Sequence, residues 1–273
     1  MNKLTLEKQT QVIKALVEGN SIRSTERMIG VHRDTIMRLM VETGNACGVT
    51  LNKMMHNLHC QRIEVDEIWC YVGKKQRHLT KADDISRLGD FYTWVALDSD
   101  TKLVPSFRVG KRDVPNANAF IADLASRLEN RIQLNSDGLK AYVDAVEASF
   151  GGDIDYAQIV KTYEAEPIGL GRYSPPKVTS VDKMRINGKP DMKLASTSYV
   201  ERGNLTMRMC MRRFTRLTNA FSKKLENLEA AIKLHFAYYN LFRFHKTLRM
   251  PPAFYAGVTN RIWTVEDIVR LAE

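Results

Sequence analysis

The sequence predicts an α/β fold, a mixed β-sheet flanked by helices, preceded by a small all-helical unit. Three observations predict it. Period-two alternation of apolar residues marks strands between residues 62 and 109, and short apolar runs alternate with helical periodicity between 116 and 160. The first forty-odd residues carry helical periodicity alone, broken at Gly19 and Gly30.

Composition sets the outer bounds. The 273 residues, 44% hydrophobic and 26% charged, suffice for a substantial core and one small accessory unit. No apolar run approaches the roughly 20 residues that span a bilayer, and the polar start MNKLTLEKQTQ does not read as a signal peptide. A cytoplasmic protein with no membrane partner is expected. Cys47, Cys60, Cys70 and Cys210 include no C-x-x-C pair and fit reduced thiols. The formal net charge is +10, and residues 200–249 hold eleven Lys or Arg against three Glu. Such clustering is the electrostatic footprint of a nucleic-acid-binding protein, although a solvated helix face has the same composition.

Taken in order, Leu6, Val12, Ile13, Leu16 and Val17 form one apolar face, and Ser21 can cap a second helix that ends before Gly30. A third begins near His32, with Ile36, Leu39 and Met40 on one face and Arg33, Met37 and Arg38 on the other. This is a helix-turn-helix pattern, whose second helix enters a DNA major groove, so Arg33 and Arg38 are candidate DNA contacts. The weakly patterned GNACGVTLNKMMHNLHC follows and reads as a linker. Its Cys47, His56, His59 and Cys60 match no common zinc spacing, and zinc is not expected.

Strands are expected over 62–72, 91–98 and 103–109, the last two joined by a turn at Ser99-Asp100, with a long charged loop after the first. A helix over 116–130, a short strand ending at Asp137, a helix from Gly138 and a strand over 156–160 come next. The stretch 166–198 is rich in Pro, Gly, Lys and Ser and reads as an irregular insertion, with a hairpin near Ile186-Asn187-Gly188. Helices restart near Ser198 and again near Lys224.

Three acids stand in this frame. Asp66 lies within a strand among Ile63, Val65, Ile68 and Trp69, where a carboxylate is costly without a cation or partner. Asp137 ends a strand, and sites in such sheets gather at strand ends. Glu201 opens the basic stretch, with Asn204 and Arg208 on much the same helical face. Singly, each has an ordinary explanation: an edge-strand charge beside Glu64 and Glu67, a helix N-cap, or a first-turn acid on a helix dipole. Converging, they suit a pair of hard divalent ions about 4 Å apart, the arrangement that activates a nucleophile and stabilises the leaving oxygen in phosphodiester chemistry.

The contexts VDEIW, NSDGLKAY and STSYVERGNLTMRMCMRRFTRLTNAFSKK, with the tail YYNLFRFHKTLRMPPAFYAGV, resemble bacterial insertion-sequence transposases of the DDE class, in particular the insertion-sequence-1 family. The likeness runs over nearly the whole chain. It implies a ribonuclease H-like core, Mg²⁺ or Mn²⁺ as a pair of ions, and cut-and-join chemistry at the ends of a mobile element. It implies Asp66, Asp137 and Glu201 as the catalytic, metal-binding triad, and Arg208 as the basic residue that such enzymes carry seven positions after the Glu. Asn204, Arg212, Arg213, Arg243 and His245 join Arg33, Arg38 and Arg208 as expected DNA contacts. The 64 positions between Asp137 and Glu201 exceed the retroviral-integrase spacing, so an insertion loops out there. The expected organisation is a helix-turn-helix domain over 1–45, a linker over 46–61, a catalytic core over 62–250 interrupted at about 166–198, and a tail over 251–273.

The function so implied is a DNA transposase that binds terminal inverted repeats and performs metal-dependent strand cleavage and transfer into target DNA. It would work as a homo-oligomer on DNA, in a bacterial cytoplasm and at the nucleoid. The alternatives are a catalytically silent DNA-binding regulator derived from such an enzyme, and a ribonuclease H-like nuclease or resolvase.

Overall fold

The computed structural model describes residues 4–164, 177–215 and 218–273. Three helices open the chain: α1 (Leu6–Val17), α2 (Ile22–Ile29) and α3 (Arg33–Met54). Their boundaries follow local chemistry. The side chains of Thr5, Ser21 and His32 accept from the backbone N–H groups of Lys8, Ser24 and Asp34 at the three N-termini. Gly30 ends α2 at φ 71, a left-handed position that glycine takes without steric cost.

The strands are β1 (Arg62–Val72), β2 (Gly89–Asp98), β3 (Phe107–Gly110), β4 (Gln133–Asp137), β5 (Asp155–Tyr163) and β6 (Val178–Asn187). Between and after them lie α4 (Val114–Ala125), α5 (Ala141–Phe150), α6 (Ser198–Cys210), α7 (Leu225–Leu241), α8 (Pro252–Tyr255) and α9 (Val265–Arg270). The sheet order is β3-β2-β1-β4-β5-β6. β1, β2 and β3 pair antiparallel, β4 and β5 run parallel to β1, and β6 returns antiparallel to β5. An antiparallel meander joined through β1 to parallel strands, with helices on both faces, is the ribonuclease H-like arrangement.

Alternation along β1 divides its side chains between the two faces. On one face Trp94, opposite Glu67 in register, packs against Phe120 of α4 and Tyr142 of α5. On the other, α6 crosses β1 and β2, and Phe107 of β3 meets Phe236 of α7 at 4.5 Å between ring centroids. The register also fixes the position of the acids. Val65 pairs with Ser136, so Asp137, the last residue of β4, falls beside Asp66.

Two expectations change. The stretch expected to be a linker from residue 46 is helical as far as Met54, because Gly44 and Gly48 do not break α3 but let it approach α7 closely. A Cβ built on Gly44 would lie 2.1 Å from the carbonyl oxygen of Ala230, and one on Gly48 would lie 2.8 Å from the Lys233 side chain. Val12, Ile13 and Ile36 therefore share one continuous core with Trp94 and Phe236. Gly44→Ala should gain about 1 kcal/mol of helix propensity and lose more to the backbone clash. The expected net loss is about 1 to 2 kcal/mol in urea unfolding.

The second change concerns the insertion. Its part at 178–187 is a regular strand, β6, because β5 offers it an open edge, and Gly188 turns the chain out of that strand instead of forming a hairpin apex. The part at 166–176 lies outside the described residues. The expected tail holds α8 and α9, and α9 packs on α1. Cys47 and Cys60 are buried, and burial pushes both thiols up to about 12, whereas His56 and His59 are exposed.

Candidate active site

β4 ends at Asp137, so among the described residues the outer half of β1 has no strand beside it on that side until the isolated bridge from Val72 to Ser222. Asp66, Glu67 and Asp137 meet in this notch, each with a carboxylate oxygen within 4.8 Å of the other two. Asp66 reaches it from the α6 face and Glu67 from the α4 and α5 face.

Each acid has a defined partner. Asn204 of α6 donates to Asp66 Oδ2 at 2.8 Å. Arg112, in the connection between β3 and α4, donates to Glu67 Oε2 at 3.0 Å and places its guanidinium 3.6 Å from Asp137 Oδ2. The Leu139 N–H donates to Asp137 Oδ1 at 3.0 Å, the arrangement of a capping Asp at a strand-to-helix turn. Burial, then the charges of Glu67 and Asp137, push the Asp66 carboxyl up to about 7. Burial also raises Glu67, whose side chain is only 2% exposed. Three carboxylates crowded at this separation, with Asp66 and Glu67 largely shielded from solvent and Asp137 open to it, fit a hard divalent cation, which takes oxygen ligands and relieves their mutual repulsion. Asp66 and Asp137 would hold it, with Glu67 behind them.

Glu201 is placed otherwise. It sits in the first turn of α6, forms an ion pair with Lys161 of β5, and accepts from Thr197 Oγ1 at 2.7 Å. It does not belong to the group of mutually close carboxylates. The helix that carries it is fastened to β1 at two points, one being the Asn204 bond. The other is Glu64, fully buried, whose Oε2 accepts from the N–H groups of Tyr199 at 2.7 Å and Val200 at 2.9 Å. Those donors have no partner within their own helix. The cap thus comes from the neighbouring strand, and the Thr197 hydroxyl is left to hold Glu201. Glu64→Leu should speed amide exchange at Tyr199 and Val200 by roughly ten- to a hundredfold, while Glu64→Gln, which keeps a carbonyl acceptor, should not.

The expected DNA contacts divide into two groups. Arg33 and Arg212 are exposed and line one groove of about 1090 Å³ between the N-terminal helices and residues 210–213 and 218–224, together with Arg23, Lys223 and Lys224. Arg38 is exposed on α3, and Arg208 is half-buried on α6. Others turn inward. Asn204 is buried on Asp66, and the Arg213 guanidinium faces Met40 Sδ at 3.2 Å, where burial brings its pKa down to about 10. Arg243 donates to Cys210 Sγ at 2.7 Å, and His245 is half-buried, its pKa lowered by burial and by Lys102 and Arg243. Arg213 thus ties the chain after α6 to α3, Arg243 ties the end of α7 to α6, and Asn204 ties α6 to β1, in place of an exposed track.

Glu64, Glu67, Arg112 and Lys161 are the site residues that sequence reasoning missed. Glu64 left a signal: it shares a face with Asp66 in an apolar strand, so it too needed a partner. Arg112 and Lys161 left none, since only the sheet brings them to the acids.

No protein-family model matches the chain, and no curated protein matches it. Among solved structures it is similar to a piggyBac transposase in a synaptic complex with hairpin DNA, at 10% identity and a TM-score of 0.48, over 100% of this chain and 72% of the other. It is also similar to Mos1 transposase in a paired-end complex with the left transposon end, at 12% identity and a TM-score of 0.22, over 54% of this chain and 58% of the other. A Mos1 mariner paired-end complex with Mn is similar at 11% identity and a TM-score of 0.22, again over 54% and 58%. The chain thus spans less than two thirds of the length of these Mos1 chains. Among the described residues no helix is long and apolar enough to cross a membrane.

Proposed function

We propose that this chain is a DNA transposase of the DDE class, of the insertion-sequence-1 type, that binds the terminal inverted repeats of a bacterial mobile element. It cleaves a strand at each end and joins the exposed 3′-hydroxyl to target DNA, with Mg²⁺ or Mn²⁺ as a pair of ions. The observation that carries this reading is the convergence of Asp66 and Asp137 in the notch where β4 ends, beside a helix that bears Glu201. Asp66, Asp137 and Glu201 are the catalytic ligands. Glu201, paired with Lys161, would join the other two by leaving that partner, and Lys161 would then be available to neutralise a phosphate. Arg33, Arg38, Arg208 and Arg212 contact DNA, and the protein works as a homo-oligomer on paired ends at the nucleoid.

The DNA flanking the gene supplies the test. Incubated with Mg²⁺ and end-labelled flanking repeats, the intact protein should release a 3′-hydroxyl end and join it to a target duplex; binding without cleavage would overturn the enzymatic reading. Binding should weaken steeply with salt. Five phosphates neutralised by the groove cations would give a slope of about −4.5 in log K against log salt. A flat response would remove the groove as a DNA track.

A second reading rests on the Lys161–Glu201 pair, which keeps Glu201 from the other acids. A catalytically silent DNA-binding regulator would hold it so permanently. Metal-dependent cleavage separates the two.

A further inference from the structure

Beyond Glu67, the outer half of β1 carries Trp69 and Tyr71 on the face of α4 and α5. Trp69 is 40% exposed, although β1 is a central strand. It begins a row of rings. Tyr92 lies opposite Trp69 in the β1–β2 register, Trp69 and Tyr71 have centroids 5.9 Å apart, and Phe221 stacks on Tyr71 at 4.7 Å with 29° between planes.

Cations accompany the row at its Tyr92 end and at Tyr71. The Arg112 guanidinium, which also touches Glu67 and Asp137, lies 6.0 Å from the Tyr92 ring centroid, and Lys75 Nζ lies 5.8 Å from that of Tyr71. Phe221 in turn lines the basic groove that holds Arg33 and Arg212. The row is therefore a continuous path from the acid notch to that groove. Aromatic faces interleaved with cations suit one ligand above others, a nucleic-acid strand whose bases are unpaired. Base faces stack on rings and the phosphates meet the cations. A duplex cannot use the rings, since its base faces are already stacked on one another.

We propose that Trp69, Tyr71 and Phe221 form a stacking platform for unpaired DNA bases next to the bond being cut. The platform rests on the proposed function for the presence of a strand at Asp66 and Asp137. It gives the exposed Trp69 ring a ligand that a purely structural role does not.

Binding without divalent ions tests it, because chemistry is then silent. The intact protein should bind a duplex with a short unpaired thymidine extension more tightly than the same duplex with blunt ends. Trp69→Ala should weaken the extended duplex by roughly 5- to 100-fold and leave the blunt one unchanged, the scale of one base stack. Trp69→Phe should keep most of the preference. Trp94 is fully buried, so in a Trp263→Phe background oligothymidylate should quench the emission of Trp69. Equal wild-type affinity for extended and blunt DNA, or a Trp69→Ala loss that is the same for both, would overturn the platform. A protein that prefers extended DNA through Trp69 but cuts nothing with Mg²⁺ keeps the platform and loses the proposed function. One that cuts while Trp69→Ala binds extended DNA normally does the reverse.

Discussion

Asp137→Asn and Glu201→Gln should each reduce strand cleavage and joining by a factor on the order of 10³ or more, while changing end binding by less than about twofold. The size follows from what is removed. Each substitution keeps the shape of the side chain and deletes one anionic oxygen ligand, and a divalent ion held by fewer carboxylates is displaced from where charge develops on the attacking and leaving oxygens. The two variants are informative in different ways. Asp137 lies beside Asp66 by sheet register, so its loss tests the notch itself. Glu201 lies outside the close group, so its loss tests whether α6 delivers it once metal and DNA are present. Cleavage assays on labelled ends read both. Full activity in Asp137→Asn would remove the notch as the catalytic centre, and full activity in Glu201→Gln would restrict the ligands to the acids of β1 and β4.

Asp66→Asn should act on stability with two opposite signs. The Asp66 carboxyl is pushed up to about 7 from an ordinary value of 3.8, so between those values the folded protein holds a proton that the unfolded chain releases. Stability tied to that proton is present below about pH 4 and is lost as the pH rises through about 7. At pH 8 the metal-free wild type carries the full cost of a crowded carboxylate, at most about 4 kcal/mol for a shift of this size. Asn keeps an oxygen for the Asn204 bond and removes the charge. Its metal-free melting temperature should therefore exceed that of the wild type at pH 8 and match it at pH 4. Added Mn²⁺ reverses the order at pH 8. An ion at a thousandfold excess over its dissociation constant stabilises the wild type by about 4 kcal/mol, and the variant gains little. Thermal melts at the two pH values, with and without Mn²⁺, read all four states, and a metal-independent ranking would exclude Asp66 as a ligand.

What could be read from the chain alone follows a physical division. The alternation of 62–72 and the apolar run ending at Asp137 are local signals, so β1, β4 and the placement of Asp66 and Asp137 at one site were legible. Gly44 and Gly48 misled, because glycine serves both to break a helix and to admit a close neighbour, and only the partner helix α7 decides which. Arg213 and Asn204 carried the right chemistry for a DNA track but face Met40 and Asp66, an orientation set by the seating of α6 rather than by spacing. Glu201 was legible as a residue but not in its contacts, since Lys161 reaches it from a strand 40 positions away in the chain.

The close crossing of α3 and α7 bears on measurement as well as on packing. In α3 the residues expected to read DNA and those embedded in the shared core belong to a single uninterrupted rod of 22 residues, about 33 Å long at 1.5 Å per residue. Under the proposed function the expected readers and the sheet would therefore be joined through one continuous helix. The phosphate that enters the notch would then be selected by its position relative to the recognised bases, not by its own sequence.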